Sequence, residues 1–478
     1  MKNENSVVGG VFWKLSERLL AQGITFVLSI ILARLVAPDD FGVISIVMIF
    51  ITFADVFVSN GFATALIQKK DANETDFSTI FYCSLSVSVI IYAILFIAAP
   101  YIADFYENQI LVPVIRVFFL RMPLSALNSI QHAYISRHMQ FKKFFFSTLA
   151  GTLLSAVVGV IMAYCGFGVW AIVAQYLTNT IVDSIVLLFT TKWYPHLVFS
   201  KSSAKTLMSY GWKVTATSFI GTFFNQLRSL IIGKYYTLSD LAYYERGRNF
   251  SALATDNIGA SLMAVLFPKF ANSADNKKEV KWYLRKAVQV ITYILFPMII
   301  GMMLVAEPMI LILLTDKWIE CVPYLQILSL SAAVGLVGDV CLQALNAIGR
   351  SDSMLKIEFI KKPIYLFLLI IGIQISVKAV AVTMLIYSAY ATFINIFPLR
   401  KHLNYHFREL IKDLGSSVIL SLIMAICVFS LRFVIKNQVI LIVSQVTVGV
   451  CVYVGLSAVI KESSFMYILD YVKGRIKK

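Results

Sequence analysis

Apolar windows of about 20 to 26 residues, separated by short polar breaks, recur along the whole chain. A helix rises about 1.5 Å per residue, so each window is long enough to cross the ~30 Å hydrocarbon core of a bilayer. The pattern predicts an all-α polytopic membrane protein of fourteen spans, at 11–36, 43–67, 78–100, 111–135, 144–165, 167–190, 207–233, 241–268, 283–305, 323–347, 357–376, 377–399, 412–434 and 439–460. Helix is the only plausible element, because backbone polar groups at bilayer depth have no water to pair with. The pairs 144–165 with 167–190 and 357–376 with 377–399 run almost together. Each is too long for one crossing and is broken near its middle, the first by Gly166 and Gly168, the second by Gln374, Ser376 and Lys378. The loops between windows are short, which leaves no room for a soluble catalytic domain.

The windows repeat. The stretch from Trp13 to Gly42, WKLSERLLAQGITFVLSIILARLVAPDDFG, returns about 200 residues later as WKVTATSFIGTFFNQLRSLIIGKYYTLSDLAYY. Trp13-Lys14 matches Trp212-Lys213, Arg34 matches Lys234 and Asp40 matches Asp240. A second echo pairs QHAYISRHMQFKK (131–143) with QALNAIGRSDSMLK (343–356). The chain therefore divides into a first lobe of six helices (1–203), a second lobe of six (204–406), and a segment with two more helices and a basic cytoplasmic tail (407–478). Six is even, so the lobes are parallel repeats about an axis along the membrane normal, placed around a central cavity.

Composition agrees: 59% of residues are apolar, 14% are charged and the mean hydropathy is +0.79. A soluble domain carries roughly 25% charged residues. The net charge of +16 could point to nucleic acid, but its placement follows membrane topology instead. With an even number of spans, most Lys and Arg fall on one side, including Lys69-Lys70, Lys142-Lys143, Lys277-Lys278, Arg400-Lys401 and the Lys473–Lys478 tail. Arg34, Lys234, Lys317, Lys378, Arg432 and Lys436 fall on the other. This asymmetry predicts both termini in the cytoplasm, and charge spread over many segments excludes a nucleic-acid patch. The six cysteines are scattered without a CxxC pair, which argues against a disulfide framework or a zinc site. The polar start MKNENS leads into a full-length span, not a cleavable signal. No phosphate-binding glycine loop or nucleophile elbow is found. His402 and His406 are spaced i,i+4 in a basic loop without a carboxylate partner, so no metal site is expected.

Polar residues inside the spans carry the functional signal, since each charge costs about 2.5–3.5 kcal/mol at the bilayer centre unless it faces protein or water. Lys14, Arg18, Gln22, Thr25 and Ser29 share one face of the first helix. Ser218, Thr222, Asn225 and Ser229, flanked by Lys213 and Arg228, repeat that face in the seventh. The fourth helix offers Arg121, Ser125, Asn128 and His132, and the tenth Asp339, Gln343, Asn346 and Arg350. These stripes would line the cavity. Several intramembrane charges must pair, Glu17 with Lys14 or Arg18 and Glu245 with Arg246 or Arg248. Arg121 is too deep to snorkel, whereas Lys14, Lys213, Arg228 and Arg116 lie near a boundary and could do so. Asp55 and Asp256 occupy equivalent mid-span positions; each is either a proton- or sodium-coupling group or one half of a fixed salt bridge. Pro123 and Pro297 predict kinks.

The opening GGVFWKLSERLLAQGITFVLSIILARLVAPDDFGVISI, the second-helix end DVFVSNGFATALIQ, the LSDLAYYERG turn and LNAIGRSDSMLK resemble bacterial oligosaccharide-lipid flippases of the Wzx and teichuronic-acid exporter type. These belong to the multidrug/oligosaccharidyl-lipid/polysaccharide exporter superfamily. The resemblance covers about residues 6–400. It implies a fourteen-helix transporter of the bacterial cytoplasmic membrane that moves undecaprenyl-pyrophosphate-linked oligosaccharide outward by alternating access, for O-antigen, capsule, exopolysaccharide or teichuronic acid. Membrane lipids, and a polysaccharide polymerase with chain-length machinery, are the implied partners; no cofactor is implied beyond H+ or Na+ coupling. A pyrophosphate needs cationic partners, and guanidinium matches its oxygens bidentately. Arg18, Arg121, Lys213, Arg228 and Arg246 are therefore expected on pyrophosphate or sugar, and Gln22, Asn128, Asn225 and Gln343 on glycan hydroxyls. Lys14, Glu17, Asp55, Asp256 and Asp339 are expected in coupling or gating. The alternatives are a cation-coupled multidrug exporter of the same superfamily, or a membrane-embedded polymerase or ligase. The exporter calls for an acidic, aromatic cavity and the enzyme for a large external loop with catalytic Arg or His.

Overall fold

A computed structural model describes residues 2–69, 71–273 and 275–476. Lys70, Lys477 and Lys478, assigned above to the cytoplasmic side, lie outside the described residues. Among the described residues the secondary structure is helical, with no strand. The helices are α1 (Lys2–Leu35), α2 (Pro38–Asp55), α3 (Gly61–Gln68), α4 (Glu74–Phe105), α5 (Leu111–Phe118), α6 (Arg121–Arg137), α7 (Phe141–Tyr164), α8 (Val169–Thr191) and α9 (Lys201–Tyr235). They continue as α10 (Leu238–Asn272), α11 (Lys277–Leu314), α12 (Val322–Ala347), α13 (Ser351–Ile375), α14 (Val377–Leu403), α15 (Phe407–Val434), α16 (Gln438–Ile460) and α17 (Ser463–Ile476). Every window predicted from the hydropathy pattern falls on one of these helices or on an interrupted pair of them. Eleven helical segments among the described residues are long and apolar enough to cross a membrane. Helices α9, α10 and α13 are not among them, since Asn225, Gln226 and Arg228, Glu245 to Arg248, and Glu358 with Lys361 and Lys362 interrupt their apolar runs.

The chain forms two compact units, Met1–Ala242 and Tyr243–Lys478. In the first, α1 packs along α7, α7 along α8, and α6 between α4 and α8. Helix α9 lies across α2 and α3, with the Phe219 ring tilted against those of Phe53 and Phe57 at 5.6 and 5.3 Å between ring centroids. The break between α7 and α8 is the glycine turn expected there: Gly166 and Gly168 have φ of 78° and 53°, a region that a Cβ disfavours. Two turns that match in the repeat touch each other. Ser239 Oγ donates to Asp39 Oδ1 at 2.6 Å, and a Cβ on Gly42 would lie 2.2 Å from the Leu238 carbonyl oxygen. Only glycine allows that approach.

In the second unit, α12 packs on α14, α13 on α14, and α11 on α12 and α15. Leu284, Ile291, Leu295, Val337, Ala344 and Leu399 are the centre of its core. Helix α11 runs for 38 residues through Pro297 and Pro308. At about 57 Å it is longer than the ~40–45 Å of a whole bilayer. Its first turns hold the C-terminal helices by charge. Arg285 donates to both oxygens of the buried Asp413, Nε to Oδ2 at 2.9 Å and Nη2 to Oδ1 at 2.7 Å, while Gln289 Nε2 and Tyr405 Oη donate at 2.8 and 3.1 Å. Burial pushes the Tyr405 hydroxyl well above its usual range, which keeps it a donor. Lys281 Nζ pairs with Glu409 at 2.9 Å. At the middle of α11, Tyr453 of α16 donates to the Tyr293 carbonyl at 2.8 Å, and towards the other end Glu307 pairs with Arg432 of α15.

Two local details differ from the sequence reading. His406 does have a carboxylate neighbour, Glu409 at 3.7 Å, because the two form the capping box that starts α15. The basic tail is also partly a helix: the Ser464 and Phe465 amides donate to Glu462 Oε2 at 2.7 and 2.9 Å, starting α17 against α11 and α16.

Candidate functional site

Two of the membrane spans in the first unit are interrupted, and each carries its charge at the interruption. The fourth span breaks between α5 and α6, at Phe119 and Leu120. Pro123 has no N–H for the Phe119 carbonyl, which accepts from the Met122 amide instead, at 3.0 Å. Arg121 lies in that tightened turn. The second span breaks between α2 and α3 as a π-helical turn, Val56–Asn60, directly after Asp55. Such turns widen the helix by one residue and commonly mark functional positions.

These two interruptions face each other. Arg121 Nη2 lies 4.0 Å from Asp55 Oδ2, at the outer limit of an ion pair, and the guanidinium also sits 5.9 Å from the Phe118 ring centre. Arg121 Nε is buried and has no hydrogen-bond partner among the described residues. A guanidinium with a loose carboxylate and an unused donor can still take an oxyanion.

The other predicted residues fall elsewhere. In the first half of α1, Lys14 Nζ pairs with Glu17 Oε2 at 2.8 Å and lies 3.6 Å from the Phe144 ring centre. Arg18 is exposed one turn on, with Gln22 half-buried beyond it. Asn128 is buried and committed to helix packing. Its Nδ2 donates to Asp183 Oδ2 at 3.2 Å and to the Thr180 carbonyl at 3.4 Å, and its Oδ1 accepts from Ser184 Oγ at 2.7 Å. On α9, Lys213 and Asn225 are exposed and Arg228 is half-buried.

In the second unit, Arg246 lies 4.8 Å from the Trp318 ring centre, and Arg248 pairs with Glu245 at 2.9 Å. Asp256 of α10 and Asp339 of α12 are exposed, and Gln343 is half-buried. Asp55 and Arg121 are thus brought together, while Lys14 and Glu17 form a separate pair. Asp183, which joins α6 to α8, is a residue that the sequence reading does not single out. The signal was available: Asn128 and His132, four residues apart, share one face of a helix that needs a polar partner.

The comparisons with known proteins follow the same architecture. The chain is 25% identical over 332 residues to the succinoglycan biosynthesis transport protein ExoT of Rhizobium meliloti, covering 70% of this chain and 67% of that one. It is 24% identical over 443 residues to the lipopolysaccharide biosynthesis protein WzxC of Escherichia coli, covering 92% and 90%. The teichuronic acid biosynthesis protein TuaB of Bacillus subtilis is 24% identical over 307 residues, covering 63% and 62%. Among solved structures, the lipid II flippase MurJ in an inward closed conformation superposes with a TM-score of 0.75 over 95% of this chain and 99% of that chain, at 14% identity. An inward-facing multidrug resistance MATE transporter of the MOP superfamily gives 0.60 over 80% and 94%. These likenesses show a MurJ- and MATE-like helical fold. The polysaccharide biosynthesis protein family profile matches residues 31–323, more than half of the sequence, and this multi-pass membrane protein belongs to that family.

Proposed function

We propose that the protein is a flippase that moves a polyprenyl-pyrophosphate-linked oligosaccharide from the inner to the outer leaflet of the bacterial cytoplasmic membrane by alternating access. The relatives support this reading by their names, which describe polysaccharide transport and biosynthesis. The topology proposed with it is fourteen crossings with both termini cytoplasmic, organised as repeats 1–203 and 204–406 followed by 407–478. The work is transport, not bond-making, carried out alongside a polymerase and chain-length machinery.

The observation that carries the reading is Arg121. A guanidinium in mid-span, with its Nε unused and its carboxylate neighbour at 4.0 Å, is an expensive arrangement for structure alone. It suits a diphosphate, which offers oxygens in the geometry a guanidinium matches. Arg18, Lys213, Arg228 and Arg246 are the further cations proposed along the phosphate path, with Gln22, Asn225 and Gln343 on sugar hydroxyls. Asp55 competes with the phosphate for Arg121 and so resets the site, while Lys14, Glu17, Asp256 and Asp339 serve gating or coupling.

Arg121→Ala is expected to abolish surface glycan in a complemented deletion strain while membrane protein levels stay normal, and Arg121→Lys to restore part of the output. Full export by Arg121→Ala would refute the assignment. The multidrug alternative predicts resistance to cationic dyes in a sensitised strain, which the flippase reading does not.

A further inference from the structure

We propose that His132 and Asp183 form a proton-binding site inside the first unit, read by α1 through Phe144. Its link to transport rests on the flippase reading; its proton chemistry stands on geometry alone.

His132 Nε2 lies 3.5 Å from Asp183 Oδ2; the Asp183 side chain is mostly buried and that of His132 is about one third exposed, at 32%. Asn128 anchors the carboxylate and is itself held by Ser184. Two atoms are left over: Asp183 Oδ1 and His132 Nε2 are buried without a hydrogen-bond partner among the described residues. Buried polar atoms in membrane proteins are ordinarily paired, so two orphans on one ionisable pair call for an explanation. A proton on Nε2 answers for the nitrogen, aiming an N–H at Asp183 Oδ2 and leaving Oδ1 as the free acceptor. A hydronium ion at the inner end transfers its proton to Nε2, forming an N–H bond and releasing water. On a ring already protonated at Nδ1, this turns a buried anion beside a neutral ring into an imidazolium–carboxylate pair of zero net charge. Such intramembrane Asp–His pairs are suited to proton relay.

The readout is an aromatic ring. The His132 ring sits 4.3 Å from the Phe144 ring, centre to centre, and Lys14 Nζ lies 3.6 Å from the centre of the same Phe144. An imidazolium and the Lys14 ammonium on the same ring repel each other, which weakens the Lys14 contact with Phe144 and leaves Lys14 to its pair with Glu17.

Other charges on the elements packed against α6 and α8 have contacts of their own. Asp55 faces Arg121, Asp76 holds Lys69, Glu74 accepts from Trp193, and Arg116 covers Phe96. Asp104 accepts from Gln109, Asp39 from Ser239, and Asp40 lies beside Gly168. Lys142 covers Trp13, and on α6 itself Arg137 donates to the Leu66 carbonyl; Lys143, beside Phe144 in sequence, is the one further cation on α7.

The test uses the full chain in lipid nanodiscs, with His138, His196, His402 and His406 replaced by Gln so that His132 is the sole imidazole. Nitrogen-15 spectra should show His132 exchanging between neutral and charged forms as pH is varied at constant Na+. Asp183→Asn should move that exchange, and so should Lys14→Gln, which leaves the α6–α8 packing intact. A His132 signal insensitive to pH would overturn the site, as would one that responds to Na+ at fixed pH and not to protons. In cells, Asp183→Asn is expected to cut glycan export at least tenfold at normal protein level. Unchanged export beside a pH-responsive His132 would overturn the coupling. Failure of the wild type to export any glycan would instead refute the flippase reading and leave the titration standing.

Discussion

At the scale of single residues, close approach and commitment decide what a side chain can do. Gly42 and Gly23 both lie in membrane helices, yet only Gly42 has a neighbour where a Cβ would go. Gly42→Ala must push back the Leu238 carbonyl, at a cost of about 1–3 kcal/mol. Gly23→Ala has nothing within 4 Å and should be neutral or slightly stabilising. Thermal unfolding in detergent should show a drop of several degrees for the first and none for the second. Asn128 and Arg121 share a helical stripe in the sequence but not a role, because Asn128 spends its polar atoms on α8. Periodicity gives the face of a helix; it does not say which neighbour fills that face.

Among the elements, the interruptions separate what the chain encodes locally from what packing imposes. Pro123 announced the break between α5 and α6, since a missing N–H acts within four residues. The π turn at Val56–Asn60 has no such marker. Its residues VFVSN could continue an α-helix, and the turn is framed by α9, α4 and α6, which come from distant parts of the chain. Pro123→Ala returns an amide to the Phe119 carbonyl and should join α5 to α6, turning Arg121 away from Asp55. Glycan export is expected to fall at least tenfold with protein level unchanged. The charged docking of α15 gives a second test. Asp413→Ala should destabilise the fold towards the lower end of the ~3–5 kcal/mol typical of a broken buried pair, because Arg285 is partly exposed. Arg285→Met with Asp413→Leu should recover most of that loss in the same unfolding measurement.

For the whole molecule, hydropathy and the repeat made the helical membrane class and the order of helices legible. The boundary of packing was not. The sequence echo leads one to expect a boundary at about residue 204, whereas the compact units divide after Ala242, with α9 in the first. An echo in sequence follows the order of helices, while a compact unit records which apolar faces found each other. Topology is directly testable: in a cysteine-free background, Lys436→Cys should react with a membrane-impermeant maleimide in intact cells, and His402→Cys only after permeabilisation. Time also enters through the clamp on α11. Arg285 and Asp413 are 128 residues apart, and a ribosome adding about 5–20 residues per second needs on the order of ten seconds to cover that distance. During this interval the first turns of α11 display Lys281 and Arg285 unmatched, and arrival of α15 cancels them. A chain that stops before α15 never cancels them and keeps two unmatched cations on α11.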